Sequence, residues 1–536
     1  MKLNYNDLKN TAQWEAAGIK LPGYDVQAMV AATTASPIWI HFGSGNIFRG
    51  FIAQLQQTLL NKKLATKGIV AVDTFDYDII DKIYTPFDNL TMNVILNADA
   101  TIDYEVMAAV AESLKADASD ASQMNRLREI FRNPGLQMAS FTITEKGYAI
   151  KRADGSLMPV VEADMNEGPA SSRHAMSVVT ALLLERYQNG AAPIAMVSMD
   201  NCSHNGEKLQ GSVLAVAEAW VEKGFAEAGF LSYLKDTSKV SFPWSMIDKI
   251  TPRPAPTVEE QLKAKGLEDM SPIITSKRTF IAPFVNAERP QYLVIEDSFP
   301  NGRPALEEAG VFFGSRDTVN RAETMKVTTC LNPLHTAMSV YGCMLGYTLI
   351  CEEMKDEDLV KLVRTLGYVE GLPVVVDPGI LSPKAFIDEV VEQRLPNPFV
   401  PDAPQRIATD TSQKVSIRFG ETMKRYIAAG KDLNTLKAIP LALAGWLRYL
   451  LAVDDEMKPM DVSDDPMKEE LQAKLAGIEV GKPETYTGQL KDILCNKQIF
   501  GVDLVEAGLS EKIETIFVKE LAGTGAVRAT LREYLA

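Results

Sequence analysis

The stretch from residue 37 to residue 73 restricts the fold more than any other part of the chain. Pro37-Ile38-Trp39-Ile40-His41-Phe42 is a short apolar run that stops at Gly43-Ser44-Gly45. Ile47, Phe51, Leu55 and Leu59 then recur at four-residue spacing, with Lys62 and Lys63 closing the segment. That is the period and the charged end of an amphipathic helix. Gly68-Ile69-Val70-Ala71-Val72 is a second apolar run, ending in Asp73. Strand, glycine turn, helix, strand and acid follow the order of a dinucleotide-binding βαβ unit. The glycines let backbone N–H groups approach a pyrophosphate at the helix start, so Gly43, Gly45, Asn46 and Ile47 are candidate cofactor contacts. Asp73 is placed to accept from the adenosine ribose. Phe48 stands where the usual fingerprint has its third glycine, and Gly50 comes two residues later.

Further apolar strands are expected at 92–96, 137–143 and 194–199, with helical segments at 106–114 and 174–187 between them. Alternation of this kind predicts an α/β fold with a largely parallel sheet. Two of the strands end in polar clusters. One runs from Thr142 through Thr144 and Glu145 to Tyr148, the other from Ser198 through Asn201 to Gly206. Ligands of open α/β sheets bind at the carboxyl ends of strands, which makes Thr144, Glu145 and Asn201 candidates. Beyond residue 290 the chain turns mostly helical. The expected organisation is a Rossmann-type dinucleotide-binding domain over 1–290 and a mainly helical substrate domain over 291–536.

The segment Lys326-Val-Thr-Thr-Cys-Leu-Asn332-Pro-Leu-His335 gathers an amine, an amide and an imidazole. Asn332 before Pro333 reads as a helix N-cap with proline at the first helical position. His335, three residues on, faces the same way. Lys326 is expected to enter from a strand or loop. A lysine whose pKa is lowered by desolvation serves as a base, and the amide and imidazole hold an oxygen whose charge changes. The uncharged run from 331 to 351 has membrane length, but it opens on Asn332, Pro333 and His335 and lacks flanking basic residues. It reads as a buried central helix rather than a span.

Composition narrows the function classes. A formal charge of -15 argues against nucleic-acid and anionic-membrane partners. It leaves room for a local basic pocket and a small anionic substrate. Five irregularly spaced cysteines and a polar N-terminus point to the cytoplasm. The four histidines, at 41, 174, 204 and 335, show no metal-ligand spacing, so no metal is expected.

Taken together, these motifs resemble the mannitol dehydrogenase family of polyol-specific long-chain dehydrogenases. The resemblance runs from about Ile38 to about residue 520. It rests on Gly43 to Gly50, Thr142 to Tyr148, Asp200-Asn201 with Asn205-Gly206, and Asp248 to Pro252. It continues through Ile295-Glu296-Asp297, Gly302-Arg303-Pro304, Lys326 with Asn332 and His335, and Arg406 with Lys414. The resemblance implies hydride transfer between NAD(H) and a secondary alcohol or ketone of a sugar-like chain, without a metal. It implies Lys326 as general base, Asn332 and His335 as holders of the reacting oxygen, and Asn201 in support. It also places Asp248 at the substrate and gives Arg406 and Lys414 the substrate's far end. The expected substrate pair is D-mannonate and D-fructuronate. Mannitol and fructose are the alternative, a phosphorylated substrate comes third, and an inactive nucleotide-sensing relative is the reading from another class. A monomer or small homo-oligomer is expected. Five residues separate Lys326 from Asn332, one more than the family's usual spacing, and Pro333 replaces its usual glycine. Either a strand there carries a bulge, which would re-aim Lys326, or the chain is a divergent branch of the family.

Overall fold

The computed structural model describes residues 1–536. Its contacts divide the chain into two units, Met1–Leu96 with Thr101–Asn320, and Asn97–Ala100 with Arg321–Ala536. This division falls after Asn320, whereas the sequence reading placed it after residue 290. The reason is strand pairing. Tyr292–Glu296 pairs with Ser245–Asp248 on one side and Phe312–Gly314 on the other. Leu293 and Ile295 are buried in the same core as Phe51 and Leu55.

The first unit is built on a six-stranded sheet. Its strands are β1 (Trp39–Phe42), β2 (Ile69–Asp73), β3 (Val110–Lys115), β4 (Met138–Phe141), β5 (Ile194–Ser198) and β6 (Val240–Ser241). They lie in the order β3-β2-β1-β4-β5-β6, every neighbouring pair parallel. This is the Rossmann arrangement, whose strand order reverses at β1 and β4 and opens a ligand crevice at their carboxyl ends. Successive side chains of a strand point to opposite faces. Ile40, Phe42, Val70 and Val72 therefore enter one core, with Leu127, Phe131 and Leu183. Trp39, Ile69 and Ala71 enter another, with Phe51, Leu55 and Leu59. Burial on both faces explains why these strands read as continuous apolar runs.

The segment at 106–114, expected to be helical, is not. Ile102–Met107 pairs antiparallel with Thr91–Leu96, and Val110–Lys115 becomes the edge strand beside β2. Its alanines favour helix in isolation, but pairing and burial override propensity. Thr91–Leu96 belongs to a separate sheet, completed by Ile19–Lys20 and Phe284–Glu288.

The second unit is helical. Its centre is Asn332–Met344, whose residues from Thr336 to Met344 are all buried. The helix stops at Met344, and Gly346 follows at φ +82°. The uncharged run is thus one buried helix and a turn, with Ile350–Glu353 starting anew. No helix of the chain is long and apolar enough to cross a membrane. Tyr341, on the central helix, donates to Leu441 O at 2.9 Å. Its ring lies over Gly445, where a Cβ would come within 2.7 Å of the Tyr341 ring. The small residue lets helix Ala438–Tyr449 pack closely.

Candidate active site

At the carboxyl end of β1 the chain passes through Gly43 at φ +101°. A Cβ there would lie 2.1 Å from Thr142 O, at the end of β4. Only glycine allows this approach. Gly45 is different, since a Cβ on it would meet nothing within 4 Å. The turn is tight on the protein side and open on the other, the shape a pyrophosphate needs. The helix that follows runs over 46–61 and includes a π turn at Phe48–Ile52. Asn46 and Ile47 form its first turn. Arg49 is buried behind it, donating to Asn46 Oδ1 and Ala282 O, each at 2.8 Å. Burial lowers the Arg49 pKa to about 10, the neighbouring Tyr84 opposing the shift. No carboxylate pairs with Arg49, so its charge favours an anion at the turn.

A hydrogen-bond chain ties the turn to β4. Trp39 Nε1–H can only donate, and it donates to Ser140 Oγ at 2.7 Å. Ser140 then donates to His41 Nδ1 at 2.6 Å, which leaves His41 Nε2–H to donate to Thr142 Oγ1 at 2.8 Å. Thr142 Oγ1 donates to Gly43 O at 3.1 Å. Burial lowers the His41 pKa to about 3, against a bond with the Gly43 backbone, so the ring is neutral. Phe48, at the position of the fingerprint's third glycine, stacks on it at 4.2 Å.

Asp73, at the end of β2, holds the same turn. Its Oδ2 accepts from Ser44 Oγ at 2.7 Å, and its Oδ1 accepts from the N–H groups of Phe75 and Asp76 at 2.8 and 2.7 Å. Burial pushes the carboxyl above its ordinary range while these donors pull it back. Thr144 lies past β4 at φ +63°, a strained conformation for a β-branched residue. Asp200 holds it there, accepting from Ile143 N–H and Thr144 N–H, both at 2.9 Å, and from Tyr148 Oη at 2.6 Å. Glu145 is exposed and ion-paired with Lys208. Asn201 is exposed beyond β5, and Asp248 is buried at the end of its strand. Gly43, Gly45, Asn46, Ile47, Asp73, Thr144 and Asn201 all lie at or beyond the carboxyl ends of the Rossmann strands.

In the second unit, Lys326 lies on a helix rather than on a strand or loop. Arg316–Met325 is α-helical and continues into a π turn at Lys326–Cys330. Leu331 N–H bonds to Lys326 O at 3.1 Å, five residues back. A π turn holds one more residue than an α turn, so the segment carries no β-bulge, and such turns are frequent at functional sites. The Lys326 side chain is buried. Leu331, not Asn332, is the N-cap; Asn332 and Pro333 open the helix. The Asn332 amide makes no hydrogen bond to the protein and is half-buried.

His335 has a partner that sequence reasoning missed. Its Nε2 lies 3.2 Å from Asp402 Oδ2, off the line of a hydrogen bond. Asp402 Oδ1 also accepts from Arg406 Nε at 2.8 Å. Burial raises the Asp402 pKa, but His335 and Arg406 outweigh it and hold the carboxyl below its ordinary value. The carboxylate favours a proton on Nε2 and leaves Nδ1 as the acceptor. Arg406 is thus linked to His335 through Asp402, but neither it nor Lys414 is idle. Arg406 is paired with Asp402, and Lys414 donates to the carbonyls of Ile407 and Thr409. Burial lowers the Lys414 pKa, with Arg418 and Arg406 adding to the effect.

The family model of the mannitol dehydrogenase Rossmann domain matches residues 37–308, and that of the mannitol dehydrogenase C-terminal domain matches residues 318–519. The chain belongs to the mannitol dehydrogenase family. Within this family, D-mannonate oxidoreductase of Thermotoga maritima is 52% identical over 536 residues, 99% of either chain. Polyol:NADP oxidoreductase of Gluconobacter oxydans is 26% identical over 86% of this chain and 88% of its own. Mannitol 2-dehydrogenase of Pseudomonas fluorescens, solved in a ternary complex with NAD and D-mannitol, is 25% identical with a TM-score of 0.67. That alignment covers 100% of this chain and 99% of the other. Substrate-free D-sorbitol dehydrogenase shares the fold, with a TM-score of 0.77 at 23% identity over 97% of this chain and 99% of its own.

One further group of this mannitol dehydrogenase family member lies behind the central helix. Glu353 is buried, neither of its carboxyl oxygens has a hydrogen-bond partner, and it packs against Gly342. Burial, helped by Asp356 and Asp402, raises its pKa from the ordinary 4.5 to about 9. The folded protein therefore holds a proton there that the unfolded chain loses above pH 4.5. Stability falls as pH rises through that window. Glu353→Gln keeps the neutral shape, so its melting temperature relative to wild type is expected to climb between pH 5 and pH 8. Parallel thermal melts across that range would refute the burial argument.

Proposed function

We propose that the chain is an NAD-dependent oxidoreductase that interconverts D-mannonate and D-fructuronate. The observation that carries this reading is 52% identity to D-mannonate oxidoreductase along 99% of both chains. The glycine turn fits a dinucleotide, since a Cβ at Gly43 would collide with Thr142 O while Gly45 faces open space. Gly43, Gly45, Asn46 and Ile47 would hold the pyrophosphate, with Arg49 supplying positive charge behind them. Thr144 and Glu145 would border the cofactor at the end of β4. NAD, when bound, supplies the hydride acceptor.

Lys326 is the general base for the alcohol and the general acid for the ketone. It takes the hydroxyl proton as the carbonyl forms and returns it in reduction, when D-fructuronate, NADH and a proton give D-mannonate and NAD. The unpartnered amide of Asn332 and the open Nδ1 of His335 hold the reacting oxygen and its neighbours. Asp402 fixes the ring. Asn201 and Asp248 keep the substrate roles, and Arg406 with Lys414 the far-end role, that the family resemblance gives them.

Asp73 sets the cofactor preference. A 2′-phosphate would meet its carboxylate, whereas a 2′-hydroxyl would not be repelled. Wild-type kcat/KM is expected to favour NADH over NADPH by roughly a hundredfold. Equal efficiency with NADPH would remove Asp73 from this role. The substrate assignment is tested by following absorbance at the nicotinamide band with NAD and D-mannonate, D-mannitol or D-mannitol 1-phosphate. D-mannonate is expected to be oxidised fastest, and a preference for D-mannitol would make the chain a mannitol 2-dehydrogenase.

A further inference from the structure

Of the cations Arg406, Lys414 and Arg418 in the second unit, only Arg418 has uncommitted charge. Arg406 is paired with Asp402, and its side chain is 69% exposed. Lys414 spends its ammonium on two backbone carbonyls. Arg418 is half-buried, on the π turn Ser416–Gly420. The one hydrogen bond of its side chain runs from Nη1 to Thr336 Oγ1. Thr336 Oγ1 in turn donates to Asn332 O at 3.0 Å. The Arg418 guanidinium is therefore one hydroxyl away from the turn that carries Asn332 and His335. No carboxylate in the protein pairs with it, and the rest of its N–H groups have no protein partner. A charge partly withdrawn from water without a counter-charge is costly, and a ligand can supply the partner. Burial is also what lowers the Arg418 pKa, to about 10. A guanidinium presents paired N–H donors that match a carboxylate.

We propose that Arg418 holds the substrate's carboxylate and sets the preference for a sugar acid over the corresponding neutral sugar, with Arg406 acting through Asp402 and His335. This rests on the sugar-acid reading above. It differs from the family resemblance, which gives that end of the substrate to Arg406 and Lys414.

The test compares wild type, Arg418→Gln, Arg418→Lys and Arg406→Gln. Each is assayed with NADH and either D-fructuronate or D-fructose, and each is titrated calorimetrically with D-mannonate in the presence of NADH. Arg418→Gln is expected to raise KM for D-fructuronate about ten- to a hundredfold. The change for D-fructose is expected to stay within a few-fold. Arg418→Lys should recover part of the loss, and Arg406→Gln should affect both substrates alike. Thermal melts identify any variant that fails to fold, and partial recovery in Arg418→Lys then decides the case. Equal losses on both substrates, or none, would overturn the assignment of Arg418 while leaving the sugar-acid reading intact. If wild type turns over no keto-acid, that reading fails, and calorimetry decides for Arg418. Weaker D-mannonate binding in Arg418→Gln supports the assignment; unchanged binding, or none to wild type, overturns it.

Discussion

Lys326→Ala is expected to lose about a hundred- to ten-thousandfold in turnover while keeping NADH affinity within a few-fold. Oxidation of an alcohol must release the hydroxyl proton as the hydride leaves, and reduction must supply one. Lys326 is buried at the start of a π turn, six residues before Asn332. Asp248, Glu145 and Glu296 are the competing bases. Glu145 is committed to Lys208, and Glu296 accepts from Trp244 N–H and Arg316. The ascending limb of the oxidation pH profile should vanish with the lysine, and small primary amines should restore part of the rate. Near wild-type turnover with an unchanged profile would place the base elsewhere.

Gly43→Ala carries the second large effect. The φ of +101° strains any other residue by on the order of 1–3 kcal/mol, and the new Cβ meets Thr142 O at 2.1 Å. The turn must move away from β4, breaking the hydrogen bond from Thr142 to Gly43 O. NADH affinity is expected to fall about a hundredfold, with a lower melting temperature. Gly45→Ala separates the two causes, because its Cβ has no protein neighbour within 4 Å. It should melt with wild type yet bind NADH roughly tenfold more weakly, since its methyl enters the space of the pyrophosphate. Fluorescence titration of NADH against both variants checks this, and unchanged affinity in both would refute the turn as the cofactor site.

The sequence made the Rossmann half legible for a physical reason. Strands buried on both faces leave uninterrupted apolar runs, as in β1, β2 and β5, and a glycine that backbone contact demands cannot be replaced. The segment at 106–114 misled because alanine-rich composition speaks for local propensity, whereas edge pairing with β2 is a tertiary fact. Lys326 stood out by residue type, but its setting on a π turn did not. A π turn has no composition signature, and the sequence reading expected a strand or loop there. The contact of Asp402 with His335 and that of Arg418 with Thr336 were not legible because the partners lie far apart along the chain. The spacing of Asp402 and Arg406 by four residues at a helix start was the one local signal. Nothing near Arg418 in sequence shows that its charge lacks a counter-ion.

The central claim is most directly tested by mixing the protein with NADH and D-fructuronate, following absorbance at the nicotinamide band and identifying the product by NMR. Stoichiometric NADH oxidation with formation of D-mannonate is the predicted result, at a kcat/KM well above that for D-fructose. Binding of NADH without turnover of D-fructuronate, D-fructose or D-fructose 6-phosphate would contradict it and make the chain a nucleotide-binding relative without this chemistry.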